Sequence, residues 1–249
     1  MKPTPRITVS YAQSIDGRIA TSTGDSRWIS CARTLTLAHR LRRDHEVILV
    51  GIGTVLRDDP ELSCRLKRPA TSPVRVILDS NLRLPLDSTI VRTCKTYRTI
   101  IYTLRSISAT AAAGNVVAGT IGGATADVRA AGTLRAERRV ELERAGIEVC
   151  QVEADEQDRV SVVKVVDSLD EKGFKTIFVE GGAAVVTSFL RAGLVHRMVV
   201  VTAPVIIGRG VEAIGELGIS SIAKALRPRR SKSWRLGTDR VWELIFDEP

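Results

Sequence analysis

Just beyond the apolar run Val47–Val50 the chain places Thr54, Asp58, Asp59 and Arg65. A hydroxyl, two carboxylates and a cation past the carboxyl end of a strand suit a polar, phosphorylated small molecule, since open α/β sheets bind ligands in that crevice. Adjacent carboxylates point apart in most backbone conformations. Asp59, which precedes Pro60, is a turn former, and Asp58 is the better ligand contact. Arg42 and Arg65 carry the forked guanidinium that neutralises phosphate. The plain alternative for each is a solvated surface arginine. A second stretch, Glu180-Gly181-Gly182 ahead of Ala183–Arg191, has the same strand–glycine–helix layout. Unpaired N–H groups at a helix start hold phosphate, glycine permits close approach, and a carboxylate at the strand end accepts hydrogen bonds from sugar hydroxyls. Against this stand a simple tight turn and a surface glutamate. Asp16-Gly17-Arg18 and Ser26-Arg27-Trp28 form a third set. Asp16 suits a turn cap, and the indole of Trp28 is either core or a cover for a flat ring.

Several chemistries are excluded. A dinucleotide fingerprint opening at Gly51 and Gly53 would need a third glycine where Leu56 stands, and no Walker A sequence is present. Cys31, Cys64, Cys94 and Cys150 form no C-x-x-C pair, and with only His39, His45 and His196 no zinc signature arises. No metal is expected. The net charge of +9 invites a nucleic-acid reading, yet the arginine clusters lack a recognition motif or an aromatic stacking stripe. A basic surface that attracts anionic ligands is the better account. The N-terminus lacks the apolar core of a signal peptide and no apolar run approaches a membrane span, so a soluble, cytoplasmic protein is expected.

Elements must position these groups. Aromatics make up only 4% of the chain, so Val, Ile, Leu and Ala fill the interior, as in strands buried on both faces of a parallel sheet. Strands are expected at 6–12, 47–50, 75–78, 99–103, 147–152, 175–179 and 197–203, and helices at 32–44, 133–145, 160–172 and 183–191. Residues 51–53 read as a turn, 106–132 as a surface excursion, and 208–210 as loop. Residues 233–236 and 241–246 read as a closing antiparallel pair. Strands alternating with helices predict an α/β fold with a mostly parallel central sheet flanked by helices, in one domain spanning 1–249.

The motifs SIDGRIA, GDSRWIS, GTVLRDDPEL, VRVILDS, VEGGAAVVTSFLRAGLV and VTAPVIIGRG, in this order, resemble the reductase domain of the bacterial bifunctional riboflavin-biosynthesis deaminase/reductase family. The resemblance covers nearly the whole chain and is weakest from Ser106 to Ala145. It implies a dihydrofolate-reductase-like fold, NADPH as cofactor, a homodimer, and reduction of the ribosyl group of an amino-ribosylamino-pyrimidine 5′-phosphate to ribityl. The deaminase's zinc signature is absent, so a stand-alone reductase is expected. The family pattern places cofactor contacts at Ala12, Trp28, Thr54, Asp58, Ser80 and the segment Gly182, Ala183, Ala184, Val185, Val186, Thr187 and Ser188. It places substrate contacts at Ser26, Arg42, Leu62, Arg65 and Glu180. The chain departs from the pattern at Cys31–His39 and at Gly51-Ile52. Arg83 is a candidate for the cofactor's 2′-phosphate. No histidine lies in the motifs, which leaves Asp58 or a water as proton donor. The alternatives are a related NADPH reductase acting on dihydrofolate or another pterin- or pyrimidine-like metabolite, and a non-enzymatic basic nucleic-acid-binding protein.

Overall fold

The computed structural model describes residues 5–66, 71–105 and 124–246, with the backbone alone given for residues 124–132. Strands in chain order are β1 (Arg6–Ser14), β2 (Arg18–Thr21), β3 (Val47–Gly51), β4 (Val74–Leu78), β5 (Thr99–Leu104), β6 (Glu148–Val152), β7 (Thr176–Glu180), β8 (Arg197–Ala203), β9 (Gly210–Glu212), β10 (Arg230–Leu236) and β11 (Asp239–Ile245). Helices are α1 (Ala32–Arg43), α2 (Ile52–Asp58), α3 (Thr89–Arg92), α4 (Ala124–Ala145), α5 (Val162–Glu171) and α6 (Ala183–Arg191). The main sheet runs β10-β11-β8-β1-β7-β3-β4-β5-β6, parallel from β8 to β6, and β10 and β11 close it as an antiparallel pair.

Side chains alternate across the strands and build two cores. Val47, Leu49 and Val179 face Val165 and Leu169 of α5 and Phe189 of α6. Ile48, Val50 and Phe178 face the other way, toward Leu41 of α1 and Leu142 of α4. Successive residues burying opposite faces is what makes these strands continuous apolar runs.

Two polar devices fix the parts. Arg75 in β4 is fully buried; it donates to the Thr99 and Thr93 hydroxyls and to the carbonyls of Ile90 and Tyr97. Burial pushes its guanidinium down to about 10. At the start of α1, Cys31 supplies no side-chain cap. The buried Asp239 of β11 takes that place, accepting from Cys31 N–H at 2.8 Å and the Thr34 hydroxyl at 2.9 Å.

The elements depart from the sequence expectations at four places. Residues 52–58 form a helix where a turn was expected, because Ile52 and Val55 bury against the core. Helix α4 begins at Ala124, inside the expected excursion, and residues 106–123 of that excursion lie outside the described residues. Strands β2 and β9 pair with each other at residues where no strand was expected, with Gly210, read as loop, opening β9. β10 begins at Arg230 and β11 at Asp239, earlier than the apolar pattern indicates, because the pairing of the two strands carries on through the polar residues at the start of each.

Candidate active site

Parallel pairing puts the ends of β1, β7 and β3 side by side, with Ser10 opposite Glu180. All three chains leave the sheet on the same side, which opens a crevice. A cavity of about 570 Å³ occupies it, lined among others by Ala12, Ser26, Thr54, Asp58, Glu180 and Gly182. That volume suits a small organic ligand.

The glycine bend is built for close approach. Gly181 and Gly182 have φ of 68° and 79°, a left-handed conformation that side chains resist. Gly182 caps α6 with no side-chain hydrogen bond, so the first N–H groups of the helix lack partners within it. A Cβ on Gly182 would lie 3.5 Å from Thr54 Oγ1, which places the Thr54 hydroxyl over the bend. A Cβ on Gly51 would lie 2.8 Å from Val185 Cγ2, so β3 and α6 meet closely and a side chain there would have to displace Val185. An uncapped helix start, a facing hydroxyl and bare backbone are the donors and the space that a dinucleotide pyrophosphate needs. Ala183, Ala184 and Val185 also line the cavity. Val186 and Thr187 turn into the core, where the Thr187 hydroxyl accepts from Gly215 N–H. Ser80 and Ser188 line a neighbouring hollow of about 350 Å³.

Glu180 is held from behind. Arg42 donates Nε to one of its oxygens at 2.7 Å and Nη2 to the other at 2.5 Å, and Nη1 to the Ser63 carbonyl. Burial alone would lower the Arg42 pKa; Glu180 outweighs it and raises it. Arg42 is therefore engaged by protein rather than free for a phosphate. Neither Arg42 nor Arg65 lines the cavity that Gly182 lines, and Leu62 is buried with φ of 56°. Arg65 is exposed, and its N–H donates to His39 Nδ1 at 3.2 Å. Burial, then Arg42 and Arg65, lower the His39 pKa, which keeps that nitrogen an acceptor.

The adjacent carboxylates part company. Asp58 lines the cavity, whereas Asp59, with φ of 38°, accepts from Thr89 N–H and Oγ1 at 2.7 Å each. Trp28 is 83% exposed with φ of 67° and borders a hollow that shares Ala12 and Ser26 with the main cavity. Asp16 is a turn anchor: hydrogen bonds from the Ser14 hydroxyl and Gly208 N–H pull its carboxyl down to about 2.

Sequence reasoning missed Tyr11, Arg57 and Phe178 in the cavity wall. Burial pushes the Tyr11 phenol up to about 12, so it stands there as a neutral hydroxyl. Its signal was position alone, near the end of a central strand.

A family model described as the RibD C-terminal domain matches residues 5–242. The chain belongs to the RibD C-terminal domain family. Riboflavin biosynthesis protein RibD of Aquifex aeolicus is 33% identical over 95% of this chain and 56% of its own length. That of Bacillus amyloliquefaciens is 37% identical over 82% of this chain and 47% of its own. The chain thus spans about half the length of these RibD relatives. A 2,5-diamino-6-ribosylamino-4(3H)-pyrimidinone 5′-phosphate reductase of Methanothermobacter thermautotrophicus is 31% identical over 96% of this chain and 97% of its own length. Among solved structures, Acinetobacter baumannii RibD superposes with a TM-score of 0.74 at 22% identity, covering 98% of this chain and 58% of that one. This likeness is one of fold: a RibD C-terminal domain with a mostly parallel sheet and a closing antiparallel pair. Among the described residues no helix is long and apolar enough to cross a membrane.

Proposed function

We propose that this RibD C-terminal domain chain is an NADPH-dependent reductase that converts the ribosyl group of an amino-ribosylamino-pyrimidine 5′-phosphate to ribityl. One observation carries the proposal. The uncapped start of α6, the Arg42-braced Glu180 and Asp58 all open on a single cavity. The full-length archaeal relative, named for reduction of such a phosphate, supports the substrate class.

Gly182, Ala183, Ala184 and Thr54 would hold the cofactor, which when bound supplies a hydride to the sugar's former anomeric carbon. Glu180 accepts hydrogen bonds from the sugar hydroxyls. Its orientation is fixed in advance by Arg42, and such positioning is the protein's main contribution to the rate. Asp58 delivers the proton directly or through water. Arg65 stands outside the cavity and meets the phosphate at its rim. Ser26 completes the substrate side, and Ala12, Trp28, Ser80, Val185 and Ser188 the cofactor side; the buried side chains of Leu62, Val186 and Thr187 support these walls from the core. Residues 1–249 form one reductase domain, which works in the cytoplasm and as a homodimer, for which Ile15, Val205 and Ile206, exposed together near the ends of β1 and β8, offer an apolar surface.

The decisive experiment follows NADPH oxidation with the diamino and deaminated ribosylamino-pyrimidine phosphates and with dihydrofolate side by side. Turnover of a ribosylamino-pyrimidine phosphate is expected. Turnover of dihydrofolate alone would replace the substrate, and binding of DNA without NADPH would replace the whole proposal.

A further inference from the structure

Helix α1 grips the site at two points. His39 and Arg42 lie one turn apart on it and so project from one face. Arg42 spans Glu180 and the Ser63 carbonyl. His39 holds the same loop two residues further on, where its Nδ1 accepts the Arg65 N–H at 3.2 Å. Cys64, between them, donates its Sγ–H to the His39 carbonyl at 3.4 Å and its N–H to the Ser72 hydroxyl at 3.1 Å.

The start of this loop is anchored from the core. Leu62 is buried, the Ser63 hydroxyl donates to the Glu61 carboxylate, and the Glu61 carbonyl accepts from the buried Arg75 at 3.1 Å. Arg65 itself is exposed, and at that residue the backbone is held by His39.

An N–H donor needs a bare nitrogen to accept it, so the neutral ring carries its proton on Nε2. The ring is flanked by Arg42 on its own helix, by Arg65 and Cys64 on the loop, and by Glu180 on β7. Burial, Arg42 and Arg65 disfavour a second proton; Glu180 and the Ser63 carbonyl favour it, and the balance lowers the His39 pKa. A doubly protonated ring would aim an N–H at the Arg65 N–H and add a third cation beside Arg42 and Arg65.

We propose that His39 is a positioning residue of the substrate side: uncharged, it holds the Arg65 backbone so that the guanidinium meets the substrate's phosphate, and charged, it releases that segment. The proposal rests on the reductase function above and names the residue and the proton that govern phosphate capture. The rival is direct contact, in which a charged imidazole itself binds the phosphate. The two differ in sign, because acid strengthens capture by contact and weakens capture by positioning.

KM for the ribosylamino-pyrimidine phosphate, kcat and NADPH affinity are measured between about pH 5 and 8 on wild type, His39→Leu and His39→Asn. The imidazole's own titration is followed by NMR. Leucine removes the acceptor, and asparagine offers an oxygen acceptor that does not titrate. At the alkaline end His39→Leu should raise KM roughly three- to tenfold, the scale of one hydrogen bond, with kcat and NADPH affinity within about twofold. His39→Asn should recover most of that loss. The substrate's phosphate gains a proton near pH ~6 in every case, so the profiles are compared with one another. Wild type should lose a further severalfold in KM as the imidazole titrates, and His39→Asn should not. Exchange of the Arg65 amide hydrogen should be faster in His39→Leu than in the other two, a readout independent of turnover. Parallel wild-type and His39→Asn profiles across that titration, a wild-type KM that falls in acid, or equal KM and equal Arg65 exchange in wild type and His39→Leu would each overturn the role and leave the reductase intact. A wild type that turns over no ribosylamino-pyrimidine phosphate would overturn both.

Discussion

Arg42 and Glu180, 138 residues apart in sequence, form a two-point ion pair at the cavity wall, with contacts of 2.7 and 2.5 Å. Their side chains are 11% and 25% exposed, so solvent screens the pair only in part. The arginine orients the carboxylate that lines the cavity. Its own contact with substrate is not required for it to matter.

Glu180→Ala should therefore lower kcat/KM for the ribosylamino substrate at least tenfold while leaving NADPH affinity within about twofold, if sugar hydroxyls are its partners. Arg42→Ala should reproduce most of that loss, and the double variant should be little worse than either one. Residues that share one network couple by roughly 0.5–3 kcal/mol. Strict additivity in kcat/KM would separate the two residues and return Arg42 to an independent role.

At the glycine bend, Gly51→Ala puts a methyl 2.8 Å from Val185 Cγ2. Overpacking of this kind costs roughly 1–3 kcal/mol, and here the strain is relieved by moving the start of α6. Weaker NADPH binding with an unchanged circular dichroism spectrum is expected. Adding Val185→Ala should restore binding. If the double variant binds no better than Gly51→Ala alone, the contact does not set the helix position.

Asp239 and Cys31 lie 208 residues apart, yet one caps the helix begun by the other. Asp239→Ala should lower stability by about 1–2 kcal/mol, the usual worth of a lost cap, read from urea unfolding. Burial alone would raise the Asp239 pKa, but hydrogen bonds from Cys31 and Thr34 prevail and hold it below the ordinary carboxylate range. A carboxyl depressed in the folded state contributes stability above its unfolded pKa and loses it as pH falls through the folded one. The gap between wild type and variant should thus be full at neutral pH and shrink only below the ordinary carboxylate range. A gap that stays constant into strong acid would show that the cap does not depend on the charge.

What the sequence disclosed followed from range. The runs VILV, RVIL and TIFV betray buried parallel strands because both faces are apolar, and Glu180-Gly181-Gly182 betrays a strand–helix bend because positive φ demands glycine. Helix α2 was hidden because Gly51 and Gly53 read as breakers, while the burial of Ile52 and Val55 that supports it is tertiary. The pairing of Arg42 with Glu180 was hidden too. Both residues were legible as polar groups near strand ends, but their mutual distance is a property of sheet order and not of spacing. For the same reason Arg65 looked like a wall of the cavity and stands outside it.

Asp58 and Asp59 show how a backbone turn can assign two like groups to different work. Asp59 is spent on Thr89 and Arg92, which join α3 to the end of α2, and hydrogen bonds from Thr89 keep its pKa low against the effect of burial. Asp58 remains beside the cavity. Asp58→Asn keeps the shape and removes the carboxyl group. Turnover of the saturated enzyme should fall about a hundredfold, the scale of a lost general acid, with KM for the pyrimidine phosphate little changed. Asp59→Asn should leave turnover near that of wild type and lower the melting temperature slightly. A solvent isotope effect on kcat that disappears in Asp58→Asn would mean that proton delivery no longer limits the rate. That result, or turnover preserved in the variant, would assign the proton to water and leave Asp58 only a binding role.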